Sequence, residues 1–306
     1  MVAAELPNPA LIVLNKDDAT LVIVNPKDGK VVGKTPVGEG PHEVTVSSDG
    51  KTAFVSNYGT GPKPGNSISV IDLVTAKEVK RFVTAPFLRP HGIEFVDGKV
   101  LFTAEANKLI ARYDPATDKI DWALGTGQNT THMVMATKDR LFTANIGSDT
   151  ITIIDRANMN ETVVPVGQGP EAMDLSPDGT QLWTAHSRDG GVSVIDIASK
   201  KVVQTFSAKT KRSNRLKFTT DGKRVLITDL AAGELVVLDV ATRSEVKRMV
   251  VGKSPEGILM EPSGARAYVA VNGDHFIAVV DLKTLEVVSK IQSGNGPDGM
   301  AWVERK

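Results

Sequence analysis

The sequence predicts an all-β fold: seven four-stranded antiparallel sheets set in a ring, the arrangement of a seven-bladed β-propeller. Three observations predict it. The first is repetition. The stretch Val37-Gly38-Glu39-Gly40-Pro41-His42-Glu43-Val44 returns as Val166-Gly167-Gln168-Gly169-Pro170-Glu171 and again as Val251-Gly252-Lys253-Ser254-Pro255-Glu256. Its period of about 40 residues is that of an array of small sheets. The second is that each repeat carries four short apolar runs, the third ending in Asp. The third is that the two chain ends are complementary, one lacking a first run and the other holding only that run.

Taken in order, residues 8–36 give three strands. Ala10 to Leu14 ends at Asn15, Leu21 to Val24 ends at Asn25, and Lys30 to Lys34 follows the Asp28-Gly29 turn, a hairpin signal. Six full repeats follow, at about 37–83, 84–124, 125–166, 167–206, 207–250 and 251–291. Their second runs include Ala53-Phe54-Val55, Val100-Leu101-Phe102 and Gln181-Leu182-Trp183; their third include Ser69-Val70-Ile71-Asp72 and Ser193-Val194-Ile195-Asp196. Residues 292–306 form a lone first strand, and joined to 8–36 they complete a seventh sheet. The C-terminal strand pairing with the three N-terminal strands closes the ring and removes exposed edges. One domain, 1–306, is expected. No helical periodicity appears.

The repeated Gly-x-Gly-Pro, Ser-Pro-Asp-Gly and Val-Ile-Asp segments resemble the YVTN-repeat seven-bladed β-propellers, and the resemblance covers essentially the whole chain. Three repeats depart from the opening motif, with Leu88-Arg89-Pro90-His91, Asn129-Thr130-Thr131-His132 and Lys211-Arg212-Ser213-Asn214 in its place. The resemblance extends to lactonase-type propellers, which implies hydrolase or lyase chemistry. It extends equally to YVTN-repeat binding or scaffold proteins, in which nothing turns over. Fold alone does not choose between them.

Composition excludes some classes. The 36 basic and 36 acidic residues balance, and aromatic content is 5%, which argues against a nucleic-acid partner. No apolar run is long enough to span a bilayer. With no cysteine, disulfides, thiolate metal sites and a Cys nucleophile are excluded. No phosphate-binding loop, Gly-x-Ser-x-Gly elbow or His-Glu-x-x-His is present. The N-terminal Met1-Val2-Ala3-Ala4-Glu5 is read as the junction left by a removed signal peptide, hence a periplasmic or secreted protein, with the cytoplasm as the alternative; a monomer is expected.

The first strand of each blade lines the channel, and its opening residue faces one mouth. Around the ring these residues are His42, His91, His132, Glu171, Asn214, Glu256 and Asp298. Three of the five histidines thus share one register of consecutive repeats. Imidazoles with a carboxylate are ligands for a divalent transition metal, Zn, Cu, Fe or Mn. His42, His91, His132 and Glu171 are therefore the expected metal ligands, with Glu256 or Asp298 as general base. Three imidazoles depart from the gluconolactonase pattern, in which oxygen ligands hold a calcium-type ion. The ends of the second strands supply a further polar set. From both sets and the loops beside them, Asn57, Arg89, Glu105, His186, Asn214 and Arg215 are expected to meet a small polar or anionic ligand at the channel mouth. Lys209, Lys211 and Arg212 lie in the same loops, and the long segment Gly59–Asn66 is a candidate lid.

Overall fold

Short apolar runs bounded by Gly, Asp and Asn turns become strands throughout the described chain, residues 6–305 of a computed structural model. The fold is the seven-bladed propeller, all β, with seven four-stranded antiparallel sheets. The expectation for the N-terminal junction falls on residues 1–5, outside the described residues. The chain divides into two compact units, Met1–Gly127 with Ile291–Lys306, and Gln128–Lys290.

The first unit holds three sheets. One contains β1 (Ala10–Asn15), β2 (Thr20–Asn25) and β3 (Lys30–Pro36). The second contains β4 (Pro41–Val46), β5 (Thr52–Gly59), β6 (Pro64–Asp72) and β7 (Lys77–Val83). The third contains β8 (Pro90–Val96), β9 (Lys99–Ala104), β10 (Leu109–Asp114) and β11 (Lys119–Gly125). In the second unit follow β12 (Thr131–Ala136) to β15 (Glu161–Pro165) through β13 (Arg140–Asn145) and β14 (Thr150–Asp155). Next come β16 (Pro170–Leu175), β17 (Gln181–His186), β18 (Gly191–Asp196) and β19 (Lys201–Ser207), then β20 (Ser213–Phe218), β21 (Arg224–Asp229), β22 (Glu234–Asp239) and β23 (Glu245–Val250). The last four are β24 (Pro255–Met260), β25 (Arg266–Val271), β26 (Phe276–Asp281) and β27 (Glu286–Ile291). Finally β28 (Pro297–Val303) returns to the first unit and pairs antiparallel with β1, Leu11 opposite Trp302 and Ile12 opposite Ala301. The expected closure of the N-terminal sheet by the C-terminal strand is thus present.

Burial explains why the middle strands read as unbroken apolar runs. Every residue of β1 is buried, whereas β7 and β19 alternate exposed and half-buried positions. A middle strand has sheets against both faces; an outer strand has water on one. Within the first unit, Ile12, Leu14 and Ile23 pack with Val44, Val55 and Ile71 of the next sheet. Within the second, Trp183 and Val194 pack with Leu216 and Ile227. Each such side chain contributes about 1.5–3 kcal/mol on burial. Two one-turn 3-10 helices, Glu105–Asn107 and Asn272–Asp274, are the helical segments among the described residues.

One feature of the ladders positions the site. In every sheet the innermost strand slips register just after its first residue. Pro41 faces Asn57 but Val44 faces Val55, and Pro90 faces Ala104 but Ile93 faces Phe102. The same shift follows Thr131, Pro170, Ser213 and Pro255, and precedes Met300 on β28. A β-bulge inserts residues without a ladder partner and turns their side chains out of the pleat. The bulged residues include His42, His91, His132, Glu171, Asn214, Glu256 and Asp298.

Candidate functional site

A bulge leaves amides that need acceptors. In several sheets a Ser or Thr of the second strand supplies one: the Glu43 N–H donates to Ser56 Oγ at 3.1 Å, and the Arg215 N–H to Thr228 Oγ1 at 2.9 Å. Thr184 Oγ1 in turn donates to the Ala172 carbonyl at 2.7 Å. Thr103 stands at the place of Ser56 and Thr228, and Thr143 at that of Thr184. A hydroxyl in an otherwise apolar, fully buried strand was the sequence signal for these bulges, and the motif reading missed it.

In the first unit the bulges bring a cluster together. His91 is 3% exposed, and its ring centroid lies 4.8 Å from that of His42, tilted by 44°. Glu105, at the start of its 3-10 turn, is 8% exposed, and ligand atoms of His91 and Glu105 lie within 4.8 Å of each other. His42 Nδ1 is 3.2 Å from Asp298 Oδ2, and Lys16 Nζ is 3.4 Å from the same oxygen. Asp298, expected as a general base, is therefore placed beneath His42 and between two nitrogen-bearing side chains, with 1% exposure. Glu105 was expected at the substrate and instead stands beside a metal-ligand candidate.

Tyr58, which the sequence reading passed over, completes the cluster. Its hydroxyl donates to Glu105 Oε2 at 2.5 Å, its ring lies 4.8 Å from His42, and it meets His91 nearly edge-on at 5.4 Å and 85°. Burial, then the Glu105 charge, push the phenol pKa far up, so Tyr58 remains a donor. Arg89 stacks its guanidinium 4.9 Å over the Tyr58 ring and donates to the Thr60 and Gly61 carbonyls at 3.1 and 2.8 Å. The candidate lid is accordingly a pinned hairpin. Gly59 pairs with Pro64, the Thr60 N–H donates to Lys63 O at 2.9 Å, and the Arg89 N–H donates to Gly65 O at 2.8 Å.

Asn57, expected to meet a ligand, makes three hydrogen bonds within its own blade: Nδ2 donates to Ser67 and Ser69 Oγ, both at 3.0 Å, and Oδ1 accepts the Gly38 N–H at 3.0 Å. His186, expected at the same mouth, is fully buried in the second unit with Nδ1 3.0 Å from Asp189 Oδ1. Burial lowers the His186 pKa, and the Asp189 carboxylate opposes that effect.

Also in the second unit, Asn214 Nδ2 donates to Glu171 Oε1 at 2.7 Å, with both side chains buried. Arg215 is buried beside them, 7% exposed, and donates through Nη1 to the Asn214 main-chain and side-chain oxygens at 3.3 and 3.4 Å. His132 is buried and Glu256 half-buried, each in its own bulge. Lys209, Lys211 and Arg212 are exposed. The Lys211 and Arg212 main-chain N–H groups donate to Asp229 at 2.6 and 3.0 Å.

Comparison with known proteins adds a wider frame. Residues 126–265 match the family described as Cytochrome D1 heme domain. Hydrazine synthase subunit beta of Kuenenia stuttgartiensis is 24% identical over 161 residues, 43% of this chain and 42% of that protein. Uncharacterized protein YncE of Salmonella typhimurium is 24% identical over 173 residues, 54% of this chain and 48% of that protein. The matched segments span less than half the length of these relatives. The Pseudomonas aeruginosa periplasmic gluconolactonase PpgL superposes with a TM-score of 0.78 at 17% identity, covering 98% of this chain and 100% of that one. The chain is thus a seven-bladed propeller, similar in fold to a lactonase and in sequence to YncE and to part of the heme d1 domain.

Proposed function

We propose that the protein binds a divalent transition metal through imidazole and carboxylate groups at the bulged strand starts, and that it is a metal-dependent hydrolase or lyase acting on a small polar, anionic substrate. One observation carries the reading: within the first unit the ligand atoms of His91 and Glu105 lie within 4.8 Å of each other, and the His42 ring lies 4.8 Å from that of His91. Nitrogen-rich donor sets with a carboxylate suit Zn, Cu, Fe or Mn. His132 and Glu171 belong to the second unit, each at the bulged start of its innermost strand. Each of the two carboxylates has one oxygen engaged, Glu171 by Asn214 and Glu105 by Tyr58; Glu105 is the preferred ligand because it stands beside His91.

The surrounding residues have separable roles in this reading. Asp298 orients His42 through Nδ1, an outer carboxylate of the kind that fixes a ligating imidazole. Glu256 is the carboxylate proposed to accept a proton, and Arg215 the cation proposed to attract an anionic substrate. A bound ion polarises a substrate oxygen or lowers the pKa of water. The periplasmic gluconolactonase neighbour supports hydrolase chemistry and a periplasmic location. No helix among the described residues is long and apolar enough to cross a membrane.

Elemental analysis of protein purified without added metal tests the reading. One transition ion per chain is expected, with His91→Ala and Glu105→Gln each weakening Kd at least tenfold. A wild-type protein that carries no ion, binds none added, and melts at the same temperature with or without chelator overturns it in favour of a scaffold. A second reading, an iron tetrapyrrole, is favoured by the Cytochrome D1 heme domain match. Of the two histidines in the matched segment His186 is buried against Asp189, so His132 is the one suited to ligate iron. A Soret band on purification or hemin titration, lost in His132→Ala, identifies that case.

A further inference from the structure

Tyr58 has no counterpart around the repeats. The residue following the second-strand Asn, Glu, His or Asp is Lys16, Ala106, Ile146, Ser187 or Leu230 elsewhere, and Tyr58 is the aromatic one. Its position is fixed from several sides. The Tyr58 N–H donates to Gly40 O at 3.0 Å and the next amide, Gly59, to Glu39 O at 2.9 Å, which ties this end of β5 to the turn before β4. Arg89 covers one face of the ring while pinning the hairpin beyond it. The two imidazoles flank the ring, and the hydroxyl reaches a carboxylate rather than water.

We propose that Tyr58 is a positioning residue of the metal site, which holds Glu105 so that the carboxylate offers the ion one oxygen while the phenol engages the other. The proposal rests on the reading of His91 and Glu105 as ligands. A carboxylate free to swing loses rotamer entropy on binding an ion and samples two-oxygen geometries. The phenolic hydrogen bond removes that freedom before the ion arrives. Glu105 cannot be steered from its own main chain alone, because it opens a single 3-10 turn with its N–H donating to Arg89 O at 3.2 Å. Outer partners of this kind change metal affinity by about 10- to 100-fold.

Tyr58→Phe deletes the hydroxyl and keeps the ring between the imidazoles and Arg89. Zn titration of the metal-free full chain is expected to give a Kd about 10- to 100-fold weaker than wild type at unchanged stoichiometry. The visible bands of the Co-substituted protein are expected to shift, which a purely structural role would not produce. In a Glu105→Gln background the same substitution is expected to change Kd little, because the two act as one unit. A wild-type Kd and Co spectrum in Tyr58→Phe overturns the assignment, as does an effect undiminished in Glu105→Gln. Should Tyr58→Phe fold poorly, Glu105→Asp is the alternative. It withdraws the carboxylate from the phenol and is expected to weaken Kd to the level of Glu105→Gln; a wild-type Kd there also overturns the proposal. A wild-type chain that binds no Zn or Co fails at the earlier step, the metal reading itself, and takes this one with it.

Discussion

Gly38 shows why a motif can be legible while its reason is not. The Gly-x-Gly-Pro pattern reads as the turn that opens a blade, and it is. The structure adds that a Cβ on Gly38 would lie 2.3 Å from Asn57 Cγ, and one on Gly40, at φ +58°, would lie 2.2 Å from Gly59 O. The glycine admits the Asn57 side chain, which then satisfies the Gly38 N–H of the loop and two hydroxyls of β6. A polar residue at a strand end looks the same in sequence whether it faces a ligand or its own loop, so Asn57 was assigned to substrate. Gly38→Ala is expected to destabilise the protein by about 1–3 kcal/mol through overpacking against Asn57. Gly61→Ala, with nothing within 4 Å, is expected to stay within about 0.5 kcal/mol of wild type. Urea unfolding midpoints of the two variants decide it; equal midpoints would mean that Asn57 yields without cost.

The bulged innermost strand is the recurring element on which the candidate site depends. Sequence register located His42, His91 and His132 correctly at strand starts. It did not show the bulges that free their side chains from the ladder, because the hydroxyls that stabilise them sit on a different strand. Nor did any spacing rule join Tyr58 to Glu105, since that contact is set by two neighbouring sheets. The sheet of β16 to β19 carries a variation with a measurable consequence. His186 of β17 occupies the place that Asn57 and Asn145 hold in their sheets, with Gly167 and Gly191 against its ring. Its Nε2 is buried without a hydrogen-bond partner. Burial lowers its pKa below the ordinary 6.5, against the opposing pull of Asp189 and Asp149. The unfolded chain therefore binds a proton more readily than the native one as pH falls through the mid-range. By linkage the stabilisation is complete above about pH 6.5 and is lost as pH falls through the lowered native value. Asp189 behaves similarly at lower pH. Burial raises its pKa, but the Gln168 and Gly191 N–H groups and His186 outweigh that and lower it below 3.8, so its contribution is lost only in stronger acid. Melting temperatures at pH 7.5 and 5 are expected to differ less in His186→Asn than in wild type. An identical pH slope in the two proteins would remove His186 as the cause.

The closing sheet is where the two ends of the chain meet, and it also carries Asp298, whose Oδ2 lies 3.2 Å from His42 Nδ1. Its complementarity was readable from the sequence, because a missing first strand at one end and a lone one at the other leave a single economical pairing. Chemistry at that seam was not readable, since which side chain of β28 lies under which imidazole depends on the bulge at Asp298. The seam is held by more than the ladder. Ala301 and Val303 enter the core with Ile12 and Ile23. Asn8 Nδ2 donates to Arg305 O while the Arg305 N–H donates back to Asn8 Oδ1, both at 2.8 Å. Ser293 Oγ donates to Asn15 Oδ1 at 3.0 Å, and Asn15 Nδ2 donates to Ser293 O at 3.1 Å. Deleting residues 297–306 strips these apolar contacts and leaves the backbone of Leu11, Ile12 and Val13 as an unpaired, apolar edge, a template for association with other chains. Deleting only residues 304–306 removes the Asn8–Arg305 bonds and keeps the strand. The longer deletion is expected to abolish cooperative unfolding and to aggregate. The shorter one is expected to unfold cooperatively with a free energy of unfolding lowered by about 1–3 kcal/mol, the scale of the lost hydrogen bonds. Light scattering and urea unfolding separate the two; a monomeric, cooperatively folded 1–296 chain would show that the other strands hold the fold without their closing partner.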